Sequence, residues 1–141
     1  MKISLRFDTE GIDWLWATDI FRLAPLGTRE PRKLKRAFEN STHACFAWNG
    51  DLLVGMARAL SDDEYQAVVY DLVVLPEYQG QGVGRQIMAA IHRRLSVRTI
   101  ILYAVPGKES FYQKLGYAKM LTAMARRAED VDAFRNEGYI E

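Results

Sequence analysis

Apolar and polar residues alternate over residues 2–7, where Ile3, Leu5 and Phe7 interleave with Lys2, Ser4 and Arg6. A period of two predicts a first strand with one buried face. The period then changes. Over residues 12–23 Ile12, Leu15, Trp16, Ile20 and Leu23 recur at helical spacing behind Asp13, and Ala24-Pro25-Leu26-Gly27 stops the run. A second short helix opens at Glu30-Pro31, with Leu34, Ala37 and Phe38 inward and Arg32, Lys33, Lys35 and Arg36 outward on a solvated face. Residues 42–48 and 52–60 read as strands joined through Asn49-Gly50, a strong hairpin signal, and a turn at 61–64 leads into a third strand over 65–75. After a loop comes a helix with the stripe Val83, Ile87, Ile91 and Leu95, then a strand over 99–105. Strand, helix, strand predicts a parallel crossover. A helix over 108–115 is stopped by Gly116; 117–120 and 122–127 read as terminal strands, and a short helix is centred on Val131 and Phe134.

These elements predict one mixed α/β (α+β) domain over residues 1–141. Its central sheet has about six to seven strands, antiparallel in the N-terminal half with one parallel step, flanked by about four helices. Exposed terminal strands would allow a homodimer.

Composition narrows the function. Nineteen Lys and Arg against eighteen Asp and Glu give a net charge of +1, so no overall field draws the chain to nucleic acid or an anionic membrane. No apolar run approaches the roughly 20 residues of a membrane span. Cys45, the single cysteine, excludes an internal disulfide and suits a reducing, cytoplasmic setting.

The stretch Gln79-Gly80-Gln81-Gly82-Val83-Gly84-Arg85 lies between the third strand and its helix. Alternate glycines let the backbone approach a ligand, and the helix start offers free N–H groups, so the stretch reads as a phosphate cradle. A dinucleotide fingerprint would need glycine where Arg85 stands and an acid near Leu102; a P-loop would need a lysine after the glycines. Neither is present. His43, His92 and Cys45 show no metal-ligand spacing, and no metal is expected. Ser110 lacks a nucleophile elbow.

The loop resembles the Q/R-x-x-G-x-G/A motif of the GNAT acetyltransferase family, as does the segment from Asp71 to Tyr78 before it. Phe111-Tyr112-Gln113-Lys114-Leu115-Gly116-Tyr117 is similar to that family's F-Y-x-K-x-G-[FY] segment. The order of strands and helices is also the family order. The resemblance implies the GNAT-like fold and acetyl-CoA as cosubstrate. Its pyrophosphate would lie on Gln79, Gly80, Gln81, Gly82, Val83, Gly84 and Arg85, and its pantetheine arm along the backbone of Leu72, Val73 and Val74.

The same resemblance implies that an amine attacks the thioester directly, that an N–H of Val73 or Val74 polarises the carbonyl, and that Tyr112 protonates the departing thiolate. Tyr70 and Val68 stand where family members often have a Glu or His, which implies deprotonation of the amine through water near Tyr70. Strand alternation sends the adjacent Asp71 to the opposite face. The expected acceptor is a primary amine of a small molecule. A protein or peptide acceptor and a non-catalytic acyl-CoA-binding module are the rivals. Trp14, Trp16 and Phe21, or Asp62, Asp63 and Glu64, are candidate acceptor contacts, with core packing and an exposed turn as their ordinary roles.

Overall fold

The computed structural model describes residues Met1–Glu141. Two compact units divide the chain, Met1–Leu102 and Tyr103–Glu141.

The first unit is a five-stranded sheet in the order β1 (Ile3–Arg6), β2 (His43–Asn49), β3 (Leu52–Ser61), β4 (Gln66–Val74) and β5 (Thr99–Ile101). The first three junctions are antiparallel, and β5 runs parallel to β4, pairing Gln66 with Thr99, Ala67 with Ile100 and Val68 with Ile101. The β2–β3 hairpin turns at Gly50, whose φ of +59° needs a residue without a side-chain clash.

Helix α1 (Trp14–Leu23) begins on Asp13, whose carboxylate accepts from the N–H groups of Leu15 and Trp16. Its buried face is Ala17, Ile20 and Phe21, whereas Leu15 is 65% exposed and Leu23 is 42% exposed, against expectation. The reason is aromatic: Trp14 packs on Phe38 and Phe46 with centroids 5.7 and 6.1 Å away, and this contact sets the phase of the helix. Helix α2 (Pro31–Glu39) is capped by Glu30 and buries Leu34 and Phe38 as predicted, leaving its basic residues exposed.

Helix α3 (Val83–Arg94) covers the other face of the sheet and buries Val83, Ile87 and Ile91, with Leu95 just beyond its end, as the stripe predicts. Gly55 makes its close approach possible. A Cβ there would lie 2.8 Å from the Val73 carbonyl oxygen and 3.1 Å from Ile87 Cδ1. Cys45 is fully buried on β2, and burial pushes its thiol up to about 12 despite the opposing charges of Arg94 and Arg93.

In the second unit, helix α4 (Glu109–Gln113) ends in a Schellman motif. Tyr117 N–H donates to the Tyr112 carbonyl and Gly116 N–H to that of Gln113, with Gly116 at φ +96°, so the glycine stops the helix as its sequence position predicts. Helix α5 (Val131–Asn136) also forms as predicted, its Phe134 stacked on Tyr139 at 4.6 Å with Tyr103 edge-on to both. The terminal strands expected over 117–120 and 122–127 do not form. A strand exists only by pairing, and alternating residues there have no ladder partner: Met120 is 53% exposed and Met124 97%. The sheet therefore has five strands rather than six or seven.

Gly55→Ala is expected to destabilise the fold by about 1–3 kcal/mol through overpacking between β4 and α3, read as a lower denaturant midpoint with unchanged slope. Cys45 should resist thiol reagents at mildly alkaline pH in the native protein and react only at the rate of unfolding; fast reaction in native buffer would contradict its burial.

Candidate active site

Strand β4 departs from regular pairing at its centre. Arg58 on β3 pairs with Tyr70 and Met56 with Val73, so Asp71 and Leu72 together oppose the single residue Ala57. This is a β-bulge, and Asp71 takes the left-handed conformation at φ +61°. A bulge shifts the alternation by one residue. The expectation that Asp71 faces away from Tyr70 is overturned, because its carboxylate meets Arg58, the cross-strand partner of Tyr70.

The contacts around Asp71 are dense. Arg58 Nε donates to Oδ2 at 2.7 Å and Arg29 Nη2 to Oδ1 at 3.2 Å, with the carboxylate side chain only 13% exposed. Arg58 also lies over the rings of Tyr70 and Phe38, at 5.0 and 6.0 Å, and Arg29 lies over Phe21 at 4.6 Å. The left-handed conformation costs a non-glycine residue about 1–2 kcal/mol, whereas hydrogen bonds to charged groups contribute about 1.5–3 kcal/mol each. Even with the Arg29 contact discounted for its partial exposure, the ion pairs outweigh the strain. Neither arginine stands out in the sequence; the available signal was an aspartate in the middle of a β-branched run, where strands disfavour it.

Past Val68, no strand pairs with β4 on the β5 side. Leu75 N–H donates to the Val54 carbonyl at 2.8 Å, so by alternation the Val73 N–H turns towards β3 and those of Leu72 and Val74 towards the open edge. Val73 keeps its side chain in the core, 1% exposed. What the expected cofactor strand of Leu72, Val73 and Val74 offers is backbone.

The glycine loop continues directly from that strand through a short 3-10 turn at Pro76–Tyr78. Gln79 Nε2 donates to the Val74 carbonyl at 2.9 Å and Gln81 Nε2 to that of Glu77 at 2.8 Å, so the two glutamines pin the loop through carbonyl oxygens. The N–H groups of Gly80, Gln81, Gly82, Val83, Gly84 and Arg85 are left without an acceptor in the loop or helix. Gly80 and Gly82 have φ of +75° and +87°, and nothing lies within 4 Å of where either Cβ would be. An open row of donors at the positive end of a twelve-residue helix suits a pyrophosphate, and the exposed Arg85 adds a charge. The cradle fits the phosphates of acetyl-CoA.

Tyr112, in the second unit, packs edge-on against Phe111 and Tyr117, with centroids 5.0 and 6.0 Å away. Burial raises its phenol above the ordinary value of 10.0, and burial plus the neighbouring Tyr112 push Tyr117 up to about 12. Tyr112 thus holds its proton at neutral pH.

The residues suggested as acceptor contacts have structural partners of their own. Trp14 and Phe21 lie in the aromatic core, and Trp16 Nε1 donates to the Leu53 carbonyl at 3.0 Å. Asp62 accepts from the N–H groups of Glu64, Tyr65 and Gln66, which hold its carboxyl below the usual range, and Asp63 pairs with His43 at 3.1 Å. A cavity of about 260 Å³ lined by Asp13, Trp16, Trp48, Asp51 and Leu53 among others includes Trp16 of the candidate acceptor contacts and none of the expected catalytic or cofactor-binding residues. No group of three or more His, Cys, Asp or Glu is placed to hold a metal ion. No helix is long and apolar enough to cross a membrane.

Comparison with known proteins identifies the family and the fold. The family described as "Acetyltransferase (GNAT) domain" matches residues 24–129. An uncharacterised ycf52-like N-acetyltransferase from Prochlorococcus marinus is 36% identical over 98 residues, covering 64% of this chain and 54% of that protein. Serotonin N-acetyltransferase 2, chloroplastic, from Oryza sativa subsp. japonica is 34% identical over 125 residues, covering 82% of this chain and 61% of the relative. The chain spans about half the length of the first curated relatives it matches. A protein of unknown function from meticillin-resistant Staphylococcus aureus, described as a probable acetyltransferase, shares the fold at a TM-score of 0.79 and 20% identity, over 91% of this chain and 99% of that one.

Gly82→Ala and Gly11→Ala impose the same kind of strain, since both glycines have positive φ and open space at Cβ. Each should lose about 1–2 kcal/mol of stability, but only Gly82→Ala should weaken coenzyme A binding, by about 10-fold or more in calorimetry. Equal affinities for the two variants would remove the loop from the binding site.

Proposed function

Because the chain belongs to the GNAT acetyltransferase family, we propose that it transfers acetyl from acetyl-CoA to a primary amine of a small molecule. The observation that carries this reading is the continuity of an open β4 edge with a loop of unpaired N–H groups at the start of α3. Acetyl-CoA supplies a thioester whose carbonyl carbon the amine attacks, forming the C–N bond as the C–S bond breaks. The N–H groups from Gly80 to Arg85 hold the pyrophosphate. The Val74 N–H, at the open edge, donates to the carbonyl oxygen as negative charge develops there.

Tyr112, matched to the family tyrosine by its motif and protonated at neutral pH, donates its proton to the departing thiolate. The proton that the amine must lose leaves through water near Tyr70. Asp71 is not the base, since both of its oxygens are engaged by arginines. Acetylation of a small amine is supported by the rice relative, whose name specifies serotonin and whose match covers 82% of this chain. A cytoplasmic setting belongs to the same proposal and rests on the lone cysteine, which is free and buried.

The test is thiol release from acetyl-CoA with a panel of small amines and peptides. Turnover on a small primary amine is expected; turnover on peptides alone would move the acceptor to protein, and tight binding without any turnover would make the chain a binding module. Tyr112→Phe should lower kcat by about 10²-fold or more while acetyl-CoA affinity stays within about 3-fold. In the wild type, the part of any alkaline decline due to Tyr112 should lie above pH 10.0, because burial raises its pKa and the acid form is lost only beyond that value. Unchanged turnover in Tyr112→Phe would remove Tyr112 as the acid.

A further inference from the structure

Resting on the acetyl-CoA reading above, we infer that Asp71 is a positioning residue. Clamped by Arg29 and Arg58, it holds β4 in the bulged path that presents the Val74 N–H, and not that of Val73, at the open edge. The conformation comes first. Bulges whose first residue is left-handed ordinarily carry glycine there, and Asp71 occupies that place with a side chain. Aspartate tolerates the region better than most residues, but the β-branched neighbours Val68, Val69, Val73 and Val74 favour an extended, regularly paired strand.

The clamp decides between the two paths. Both carboxylate oxygens are taken, Oδ2 by Arg58 and Oδ1 by Arg29. Neither arginine is free to follow a straightened strand. Arg58 lies over Tyr70 and Phe38 and has Nη1 3.4 Å from Ser41 Oγ; Arg29 lies over Phe21 and donates through Nη1 to the Leu26 carbonyl at 3.2 Å. A straight β4 would carry Asp71 to the opposite face and break both pairs.

The consequence for the reaction is directional. Removing the extra residue from the ladder slips the end of β4 by one position, which exchanges the edges met by successive N–H groups. Val73 and Val74 would trade places. Asp71 lies three residues from Val74 and acts on the donor through the strand, which makes it a positioning group rather than a catalytic one.

The test is difference infrared spectroscopy of acetyl-CoA labelled at the thioester carbonyl carbon, bound to wild type, Asp71→Ala, Asp71→Gly and Asp71→Asn, with affinity from calorimetry. Wild type should lower the carbonyl stretching frequency relative to free acetyl-CoA. Asp71→Ala should bind within about 3-fold yet lose most of that shift, with kcat on the best acceptor falling about 10²-fold. Gly, which adopts the left-handed conformation without strain and so needs no clamp, should restore the shift, whereas Asn, which cannot form the ion pairs, should restore only part of it. Such a rescue is not expected if the ion pairs serve stability alone. A full shift in Asp71→Ala, or a loss in Asp71→Gly equal to that in Asp71→Ala, overturns the inference. Should Asp71→Ala fail to fold, Arg29→Met takes its place: a smaller shift at unchanged affinity is expected, and an unchanged shift overturns it. Failure of the wild type to bind acetyl-CoA is a different result, which overturns the acetyltransferase reading and this inference with it.

Discussion

One carboxylate held between two guanidinium groups sets the geometry of β4, because the Arg58 and Arg29 contacts to Asp71 stabilise a backbone conformation that the rest of the strand resists. The bulge they support does two things at once. It puts Tyr70 and Val73 on the same face of the sheet, against Arg58 and Met56, where uninterrupted alternation would separate them. It also sets which N–H groups reach the edge that β5 leaves unpaired. Packing and prospective chemistry therefore hang on the same ion pairs.

Glycine does the complementary work where backbone must come close to something. Gly55 lets α3 settle on β3 and β4, with no room for a methyl group against the Val73 carbonyl. Gly80 and Gly82 instead leave space, so that N–H groups at the head of α3 stay accessible. The same residue type thus closes the core on one side of the helix start and opens a cradle on the other. The glutamines between them complete the arrangement, since each ties the loop by a carbonyl and consumes none of its donors.

Where local pattern and local chemistry suffice, the chain is legible. The stripe Val83, Ile87, Ile91 and Leu95 is buried as its spacing implies, Glu30-Pro31 starts a helix, and Gly116 ends one at the predicted residue. Each of these depends on neighbours within a few positions. The errors are of another kind. Leu15 and Leu23 face outward because Trp14 finds Phe38 and Phe46, two aromatics far along the chain. Residues 117–127 alternate as a strand would, but alternation cannot supply the second strand that hydrogen bonding requires.

The amino-acid sequence by itself determined the order of the main strands and helices, the parallel crossover through α3, the glycine loop before it and the family, since periodicity, turn chemistry and short motifs are all written locally. Only the tertiary structure decided how many strands pair, which face of α1 is buried, and where Asp71 points. That last outcome depends on Arg29 and Arg58, 42 and 13 residues away, converging on one carboxylate. No period in the chain records such a meeting, because a bulge is a mismatch between two strands rather than a property of either.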